Sequence, residues 1–473
     1  MRSIALLFTL ALLLSLACYL PPSAKAEGTV IVWSIGDSPV YLNSNITIAE
    51  GETLVIEPGV QVICKTYNWR INIYGGLEAK GTPDKRISFS GTYDIANQWY
   101  GIYLYSDNNI LECCNFSNSV YGVWAQGSGQ VLTDCIFKQC NLGTYLKGEN
   151  NRIEGCLYKD LIFLGVSLWG SGNTVNGSRF ENCPDAGVFM RDNERNQITH
   201  CTFANMYPNH LIWNGVRLFH SSRNVISNCT FERLYYGANL ENQSNGNRIV
   251  DNVFRNCTYG NILFSFVENA NGSVNSDDNL LAYNRYLGNY NYGMIISGKN
   301  NLIIGNDIRN SSIYGIYFLN ESTEGNLIYL NNFINNAKDA FDLSGNNTYN
   351  DLAKEGNYWS EANMTDKNRD GIGDSAYGLD NYPLMDPLIF ENGRLEDYDT
   401  DGDGLKDYRD PDDDNDGFSD IEERQSGYES KDKDSHPPKD PYSIENYLLV
   451  IFFAMLIIAT ICLFAFFARK KAK

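Results

Sequence analysis

Residues 314–333 read YGIYFLNESTEGNLIYLNNF, and this stretch decides the fold. It contains two short runs with apolar residues at alternate positions, 314–318 and 326–330. A period of two is typical of a β-strand, and the Asn, Gly and Ser residues between the runs are typical of turns. Outside the two ends of the chain, no segment has a sustained helical period. The stretch therefore predicts short strands joined by turns.

The same pattern recurs along the chain in three columns that keep one step. A glycine before apolar residues is found at Gly101, Gly122, Gly143, Gly165, Gly187, Gly215, Gly237, Gly260, Gly293 and Gly315. An asparagine is found at Asn151, Asn173, Asn196, Asn224, Asn247, Asn279, Asn301 and Asn326. A large, mostly aromatic residue is found at Phe116, Phe137, Tyr158, Phe180, Phe203, Phe231, Phe254, Tyr286, Ile308 and Phe333. Most steps are 21 to 23 residues long, which indicates a repeat protein.

A unit of this length is too short for a propeller blade or a βαβ unit, but it suits one coil of a β-helix. The sequence therefore predicts an all-β solenoid, a parallel β-helix over residues 27–390. Successive coils lie about 4.8 Å apart, so equivalent side chains form ladders along the axis. We expect the asparagines to bond between coils, and the glycines to occupy turns where no Cβ fits.

Segments at both ends of the repeats resemble a known family. The opening coils of exported β-helix proteins are similar to residues 51–60 (GETLVIEPGV), 76–82 (GLEAKGT) and 99–102 (WYGI). The closing segment of NosD-like proteins is similar to residues 356–360 (GNYWS), 370–374 (DGIGD) and 381–384 (NYPL). The resemblance covers residues 30–390. It implies a right-handed, single-stranded parallel β-helix outside the cytoplasm, within a superfamily of carbohydrate-binding proteins and sugar hydrolases.

The NosD resemblance also implies a link to copper handling for a reductase outside the cytoplasm. Copper(I) prefers Cys, Met or His ligands. The chain has four His and seven Met, without a dense cluster of either. Because a fold does not fix a function, copper delivery is kept here as an alternative.

Ten of the 12 cysteines lie outside the two apolar ends of the chain. Five stand two residues before the aromatic column, where other coils are expected to carry Asn252 and Asn332: Cys114, Cys135, Cys156, Cys201 and Cys229. Neighbouring coils bring Cα atoms within disulfide range, but a buried thiol also packs well as an apolar group. We expect mostly free, buried thiols. Cross-links are expected at the cysteines off this ladder, which are Cys113, Cys140, Cys183 and Cys257.

An acidic segment at residues 397–425 has the spacing of calcium-binding loops. One copy comprises Asp412, Asp414, Asp416, Gly417, Asp420 and Glu423, and another comprises Asp399, Asp401, Asp403, Gly404, Asp407 and Asp410. A weaker copy comprises Asp366, Asn368, Asp370, Gly371 and Asp374, with Tyr377 in place of the last acid. Calcium takes six to eight oxygen ligands, alternate residues can supply them, and glycine allows the sharp turn.

No apolar helical period flanks these loops, so a paired EF-hand is not expected. The run resembles thrombospondin type 3 repeats, which implies a structural calcium stalk. The alternative is a solvated acidic linker without metal. For the copy at Asp366 the two interpretations stay open, because the final acid is missing.

Both ends of the chain carry apolar segments. Residues 1–26 fit a signal peptide, with Arg2 before the apolar stretch and a small-residue cleavage pattern at 24–26. Residues 447–468 carry no charge and are long enough to cross a bilayer, and the basic tail 469–473 follows. Cationic residues stay in the cytoplasm, so we expect the bulk of the chain outside, tethered through a linker at 426–446. An uncleaved anchor, a lipoprotein or a buried core helix are the alternatives.

The net charge of −20 argues against nucleic acid as a partner. Much of it is local, because residues 397–440 hold 17 acidic and six basic residues. Eleven Asn-x-Ser/Thr sequons, from Asn45 to Asn363, would allow glycosylation.

Many β-helix proteins cleave or epimerise polyuronides with paired carboxylates on one strand face. Suitable groups occur in Asp277-Asp278 and in residues 191–195 (RDNER), but both segments are expected to be solvated turns. His200, His210 and His220 lie around a long coil, and ordinary turn or packing positions are favoured over a ligand site. No catalytic residue is assigned.

The sequence therefore predicts a membrane-anchored cell-surface β-helix that binds polysaccharide or surface-layer components through exposed aromatic residues. A carbohydrate lyase, hydrolase or epimerase is the first alternative. A copper accessory protein is the second.

Overall fold

The computed structural model describes residues 28–65, 69–204, 214–263, 268–269, 272–273, 275–368 and 370–388, and then 400, 414, 416, 418, 427–429 and 431–437. The chain forms two compact units, Met1–Leu395 and Glu396–Lys473. The predicted signal peptide, most of the acidic stalk and the predicted membrane segment lie outside the described residues. Within the part described, no helix has the length and apolar character needed to span a membrane.

The strands of the first unit form three long sheets. The first sheet contains Thr29–Trp33, Glu52–Ile56, Gly76–Lys80, Ile110–Glu112, Val131–Thr133, Arg152–Glu154, Thr174–Asn176, Gln197–Thr199, Val225–Ser227, Arg248–Val250, Leu280–Ala282, Leu302–Ile304 and Leu327–Tyr329. The second contains Val40–Leu42, Gln61–Cys64, Ile87–Gly91, Cys114–Ser117, Ile136–Lys138, Leu157–Lys159, Arg179–Glu181, Thr202–Ala204, Thr230–Glu232, Val253–Arg255, Arg285–Leu287, Asp307–Arg309, Asn332–Ile334 and Tyr358–Trp359. The third contains Ile46–Ile48, Arg70–Ile73, Gly101–Leu104, Tyr121–Ala125, Leu142–Leu146, Leu164–Leu168, Ala186–Arg191, Asn214–Phe219, Tyr236–Glu241, Tyr259–Leu263, Tyr292–Ile296, Tyr314–Phe318 and Ala340–Asp342.

Each strand pairs in parallel with the equivalent strand of the next coil. Phe116, for example, pairs with Phe137, and Trp124 pairs with Tyr145. The described residues also include a short 3₁₀ helix at Ile35–Asp37 and an antiparallel pair, Glu268–Asn269 with Gly272–Ser273. The predicted parallel β-helix of right-handed type is confirmed.

The aromatic column lies inside the coil. Its rings stack face to face from Phe89 to Tyr286, with centroids 4.6–5.0 Å apart and planes within 8° of each other. Trp359 ends the column on Phe333 at 4.4 Å. Each stacked pair adds about 0.5–1.5 kcal/mol beyond the burial of its area.

The glycine column lies in the strands of the third sheet, so its predicted place in turns is wrong. Most of these glycines face the interior, where a Cβ would collide with the aromatic column. A Cβ at Gly122 would lie 2.4 Å from Cδ1 of Phe137, and one at Gly215 would lie 2.4 Å from Cδ1 of Phe231. The rings fill the space that a side chain would need.

Two polar ladders run parallel to the aromatic column. In the first, each buried Asn accepts a hydrogen bond from the backbone N–H of the preceding coil, as Asn224 does from Asn196 (2.8 Å) and Asn247 from Asn224 (2.8 Å). The second ladder contains the cysteines, where the N–H of Cys135 donates to Sγ of Cys156 at 3.4 Å. In the later coils, asparagines take the place of the cysteines in this ladder: Asn252, Asn284, Asn306, Asn331 and Asn357.

The predicted ladder position of Asn332 is therefore wrong, because Asn331 occupies it. Asn332 instead bonds the closing segment through Leu388, with Nδ2 donating to the Leu388 carbonyl at 2.8 Å. The described cysteines are buried, and the nine from Cys113 to Cys257 are free thiols, as expected for most of them. The predicted cross-links at Cys113, Cys140, Cys183 and Cys257 are wrong, since these residues are free thiols as well.

The closing segment, residues 355–388, caps the last coil. Its centre is Asp380, which is fully buried and accepts hydrogen bonds from the N–H of Asn357 (2.7 Å), Nε1 of Trp359 (2.8 Å) and the N–H of Tyr382 (3.0 Å). Within this segment, Trp359 ends the aromatic column and Asn357 ends the second ladder.

Candidate functional site

The outward side of the third sheet carries rows of aromatic side chains. In the strand Tyr121–Ala125, Val123 and Ala125 are fully buried and Trp124 between them is half-buried, so Trp124 points outward. Its ring lies 5.2 Å from that of Tyr103 and 6.2 Å from that of Tyr145. We call the outward-facing aromatic residues of this sheet and its flanking turns the aromatic face. Its N-terminal part consists of Tyr74, Tyr103, Tyr105, Tyr121, Trp124, Tyr145 and Trp169.

The C-terminal part of the aromatic face consists of Tyr235, Tyr236, Tyr259, Tyr292, Tyr314, Tyr317 and Phe341. Tyr259, Tyr292 and Tyr314 repeat from coil to coil with centroids 5.6 and 5.9 Å apart and nearly parallel planes. Because such rings cover each other's faces along the axis, they turn edges and hydroxyl groups outward. Burial raises the pKa of Tyr103 to about 12, so its hydroxyl remains a hydrogen-bond donor.

A charged cluster lies between the two parts of the aromatic face. Arg217 binds Glu241 in a bidentate manner, with Nε to Oε1 at 3.1 Å and NH2 to Oε2 at 3.0 Å. Its NH1 also donates to Oδ1 of Asp185 at 3.3 Å. Asn239 donates to Glu241 at 2.6 Å and to Asn214 at 3.2 Å. We call these five residues the polar centre.

Two acids, Asp185 and Glu241, share the guanidinium of Arg217 in the polar centre. Burial raises the pKa of Asp185, and the nearby Arg217 only partly offsets this. Burial lowers the pKa of Arg217, but Glu241 and Asp185 raise it more, so it stays above its ordinary value. The side chains of Asp185 and Glu241 are only 16% and 12% exposed. The cluster is therefore a partly desolvated ion-pair network that also orients polar groups outward.

Asp277, Asp278 and residues 192–195 lie between strands, as expected, whereas Arg191 is the last residue of the strand Ala186–Arg191. Asp278 has a positive φ of 57°, and Oδ1 of Asp277 accepts a hydrogen bond from the Lys299 N–H. His200 and His220 also have positive φ, and Nδ1 of His220 lies 2.8 Å from Oδ1 of Asp192. His210 lies outside the described residues. The structure therefore brings His220 into contact with Asp192 of the 191–195 segment.

Of the predicted calcium ligands, only Asp366, Asn368, Asp370, Asp374, Asp414 and Asp416 are described. Asp366 accepts a hydrogen bond from the Gly371 N–H (3.0 Å), and Asp416 accepts one from the Phe418 N–H (2.8 Å). These are local turns of acidic loops. In the part of the chain that the structure covers, no three His, Cys, Asp or Glu side chains are grouped to hold a metal.

Three buried cysteines of the second ladder are poorly placed to bind copper. Cys114, Cys156 and Cys229 are buried inside the coil, and burial raises the pKa of each thiol. Their S–H groups donate to backbone carbonyls, as Cys114 does to Glu112 at 3.3 Å. A copper site needs thiolate or imidazole groups that converge at an accessible point.

The polar centre was missed by the sequence reasoning. Arg217 and Asn239 each follow a column glycine by two residues, at the position that Trp124 and Tyr145 hold in earlier coils. Comparing that position across the repeats would have marked the change from aromatic to polar residues. Asp185 lies outside every column, so only the three-dimensional structure brings it to Arg217.

Comparison with solved structures confirms the fold. The catalytic domain of GH87 alpha-1,3-glucanase in complex with nigerose has a TM-score of 0.51 at 14% identity, covering 72% of this chain and 70% of that chain. A mannuronic acid specific polysaccharide family 6 lyase from human gut microbiota has a TM-score of 0.46 at 14% identity, covering 72% and 87%. The periplasmic alginate epimerase AlgG has a TM-score of 0.42 at 12% identity, covering 66% and 84%. At such low identity the likeness to the glucanase shows a shared fold only.

No curated protein matches the sequence significantly. The profile of the family described as periplasmic copper-binding protein (NosD) matches residues 59–262 and 207–364. A periplasmic family agrees with the predicted location outside the cytoplasm. Together the two matches span more than half of the 473 residues, and they cover most of the coils. The chain therefore belongs to the NosD family.

Proposed function

We propose that this protein binds a linear polysaccharide along the aromatic face of the third sheet. The observation that carries the proposal is the repetition of aromatic rings, coil after coil, on both sides of the polar centre. A polymer lying along the axis would meet aromatic rings on several successive coils on each side of the polar centre. Tyr and Trp combine an apolar body with a polar handle, which suits the mixed surface of a sugar.

The charged groups add directional contacts. Arg217, Glu241 and Asn239 hold fixed donors and acceptors in the middle of the aromatic face. Guanidinium groups also lie against rings of the face, as Arg70 does on Tyr103 (4.8 Å) and Arg191 on Trp169 (5.1 Å). Fixed polar groups of this kind would select one hydroxyl or carboxylate pattern over another.

Display at the cell surface is part of the proposal. Its support is the apolar segment at 447–468 with a basic tail, and the calcium-loop spacing at 399–423. In this arrangement the acidic segment binds structural calcium and connects the coils to the membrane anchor.

The test is a glycan array probed with the purified extracytoplasmic chain, followed by titration of the best polysaccharide. Trp124→Ala and Tyr145→Ala each remove one ring of the aromatic face, and we expect each to weaken binding at least tenfold. Tyr329→Ala is the matched control, because Tyr329 is half-buried on the outward side of the first sheet. Equal affinity of all three variants and wild type would contradict the proposal.

An enzyme that acts on the same polymer is the second candidate, and the polar centre favours it. Two partly buried acids and a basic residue meet there, as polyuronide chemistry requires. Incubation with the bound polysaccharide would then release shorter chains or unsaturated ends, and Asp185→Asn would abolish the release. Binding without any change in polymer length or composition would leave the polar centre with a recognition role only.

A further inference from the structure

A cavity of about 420 Å³ lies at the C-terminal end of the coils. It is bounded by the last strand of the third sheet, Ala340–Asp342, by Trp359 and by the turn around Tyr377. The closing segment forms part of its wall. This cavity is separate from the polar centre, so a ligand could bind there whether or not the aromatic face binds a polysaccharide.

One acid in the cavity wall is buried without a full set of partners. Asp339 is 7% exposed, and its Oδ1 accepts a hydrogen bond from Nδ2 of Asn336 at 3.0 Å. Its Oδ2 is buried and has no hydrogen-bond partner. A buried carboxylate oxygen without a hydrogen-bond partner destabilises the folded state. A ligand that donates a hydrogen bond to Oδ2 would recover that cost.

The surroundings of Asp339 are acidic and aromatic. Glu361 lines the same cavity, and burial together with Glu361 raises the pKa of Asp339 to about 6. Lys338 also lines the cavity, but its Nζ lies 3.4 Å from the hydroxyl of Tyr314 and 5.3 Å from that ring. Three acids of the cavity wall, Asp339, Asp342 and Glu361, stand against the one cation Lys338, so the charge of the wall is net negative.

Aromatic rings form much of the remaining wall. Trp359 stacks on Phe333 with one face, and the ring of Tyr377 lies 5.5 Å away at an angle of 40°. Phe341 is held by stacking on Tyr317 at 5.0 Å. Rings beside carboxylates are the environment that proteins use to hold ammonium groups.

The arrangement of oxygen ligands in the cavity favours an organic cation over a metal ion. A single ion would need three or more oxygen ligands in close contact. In the region that the structure describes, no such group of acidic side chains occurs. We propose that the cavity binds a small organic ammonium ion, which donates a hydrogen bond to Oδ2 of Asp339 and packs against Trp359 and Tyr377.

The probes are cyclohexylammonium and cyclohexanol, which match in size and differ in charge, and calcium chloride as a third ligand. Binding to the purified chain is measured by calorimetry at pH 7.5. We expect saturable binding of cyclohexylammonium and at least tenfold weaker binding of cyclohexanol. Calcium is expected not to compete with the ammonium ion.

The variants are Asp339→Asn and Glu361→Gln, with Asp278→Asn in an exposed turn as the control. We expect Asp339→Asn to weaken cyclohexylammonium binding at least tenfold, Glu361→Gln to weaken it several-fold, and the control to leave it unchanged. Thermal unfolding of each variant shows that it is folded, and Glu361 is exposed, so its replacement leaves the core intact. Equal affinity for the alcohol, unchanged affinity in both variants, competition by calcium or no binding at all would each overturn the proposal.

Discussion

At Gly215 the fold leaves no room for a side chain. A Cβ there would lie 2.4 Å from Cδ1 of Phe231 and 2.7 Å from the carbonyl oxygen of Gly237. We expect Gly215→Ala to lower the free energy of unfolding by about 1–3 kcal/mol, because the aromatic stack must shift. Urea unfolding measures this loss.

Gly36→Ala is the control, since a Cβ there meets only Oγ of Ser34 at 3.5 Å and the position is exposed. Its effect should stay within about 0.5 kcal/mol. If both substitutions had the same effect, the glycine column would not face the aromatic stack.

Asp339 makes stability depend on pH. Its pKa is about 6 in the fold against an ordinary value of 3.8, since burial disfavours the charged form. The contribution of protonated Asp339 to the free energy of unfolding is fully present below pH 3.8, and it is lost as the pH rises through 6. The shift corresponds to about 3 kcal/mol.

Asp339→Asn removes this loss, so its stability relative to wild type should rise between pH 4 and pH 7. Melting temperatures at four pH values measure the difference, with Asp278→Asn as the reference. A constant difference between Asp339→Asn and wild type across the range would show that Asp339 is not held in a desolvated site.

The first polar ladder, which we call the Asn ladder, links each coil to the next through buried asparagine side chains. Asn224 is fully buried, its Oδ1 accepts from the Asn196 N–H at 2.8 Å, and its Nδ2 donates to Oδ1 of Asn247 at 3.1 Å. Asn224→Ala would remove the acceptor of two buried donors, the backbone N–H and Nδ2 of Asn196. We expect a loss of about 2–4 kcal/mol, since each such group costs about 1–3 kcal/mol.

The matched control is Asn363→Ala in the exposed part of the closing segment. Chemical denaturation compares the two variants, and limited proteolysis locates the opening. A ladder variant as stable as the control would mean that the stacked amides contribute nothing net to the fold.

The repeat made most of the fold predictable. Recurrence in three columns indicated which residues share a ladder, because stacked coils place equivalent residues at a fixed chain separation. The recurrence did not indicate which residues of a strand face the interior. The glycines were therefore predicted in turns, although they lie in strands where the rings of Phe137 and Phe231 leave no room for a Cβ. Asn332 lies one residue before Phe333, whereas Asn331 lies two residues before its column residue, as the ladder cysteines do, so the spacing itself favours Asn331.

The sites were less predictable than the fold. The aromatic face was expected only in general terms, since tyrosine content does not show which rings point outward. The cavity at Asp339 forms only where residues 377–379 fold back against the last coil, and no periodic signal reports such a contact. The acid pair with Arg217 likewise joins residues from three different coils.

For the whole molecule, calcium is the cofactor that the acidic segment predicts. The extracytoplasmic chain should bind calcium with a stoichiometry of two or more, and Asp416→Asn should remove part of the binding heat. The melting temperature of the coils should not change with EDTA, because the proposed ligands at 399–423 lie outside residues 28–388. Calorimetry without a calcium signal would favour the metal-free acidic linker.

The aromatic face is the proposed binding surface, and hydroxyl-radical footprinting tests its role most directly. With the polysaccharide bound, the oxidation rates of Trp124, Tyr145, Tyr259 and Tyr292 should fall, while those of Tyr41 and Tyr329 on the other two sheets stay constant. Protection of Tyr41 or Tyr329, with the four residues of the third sheet unchanged, would contradict this role.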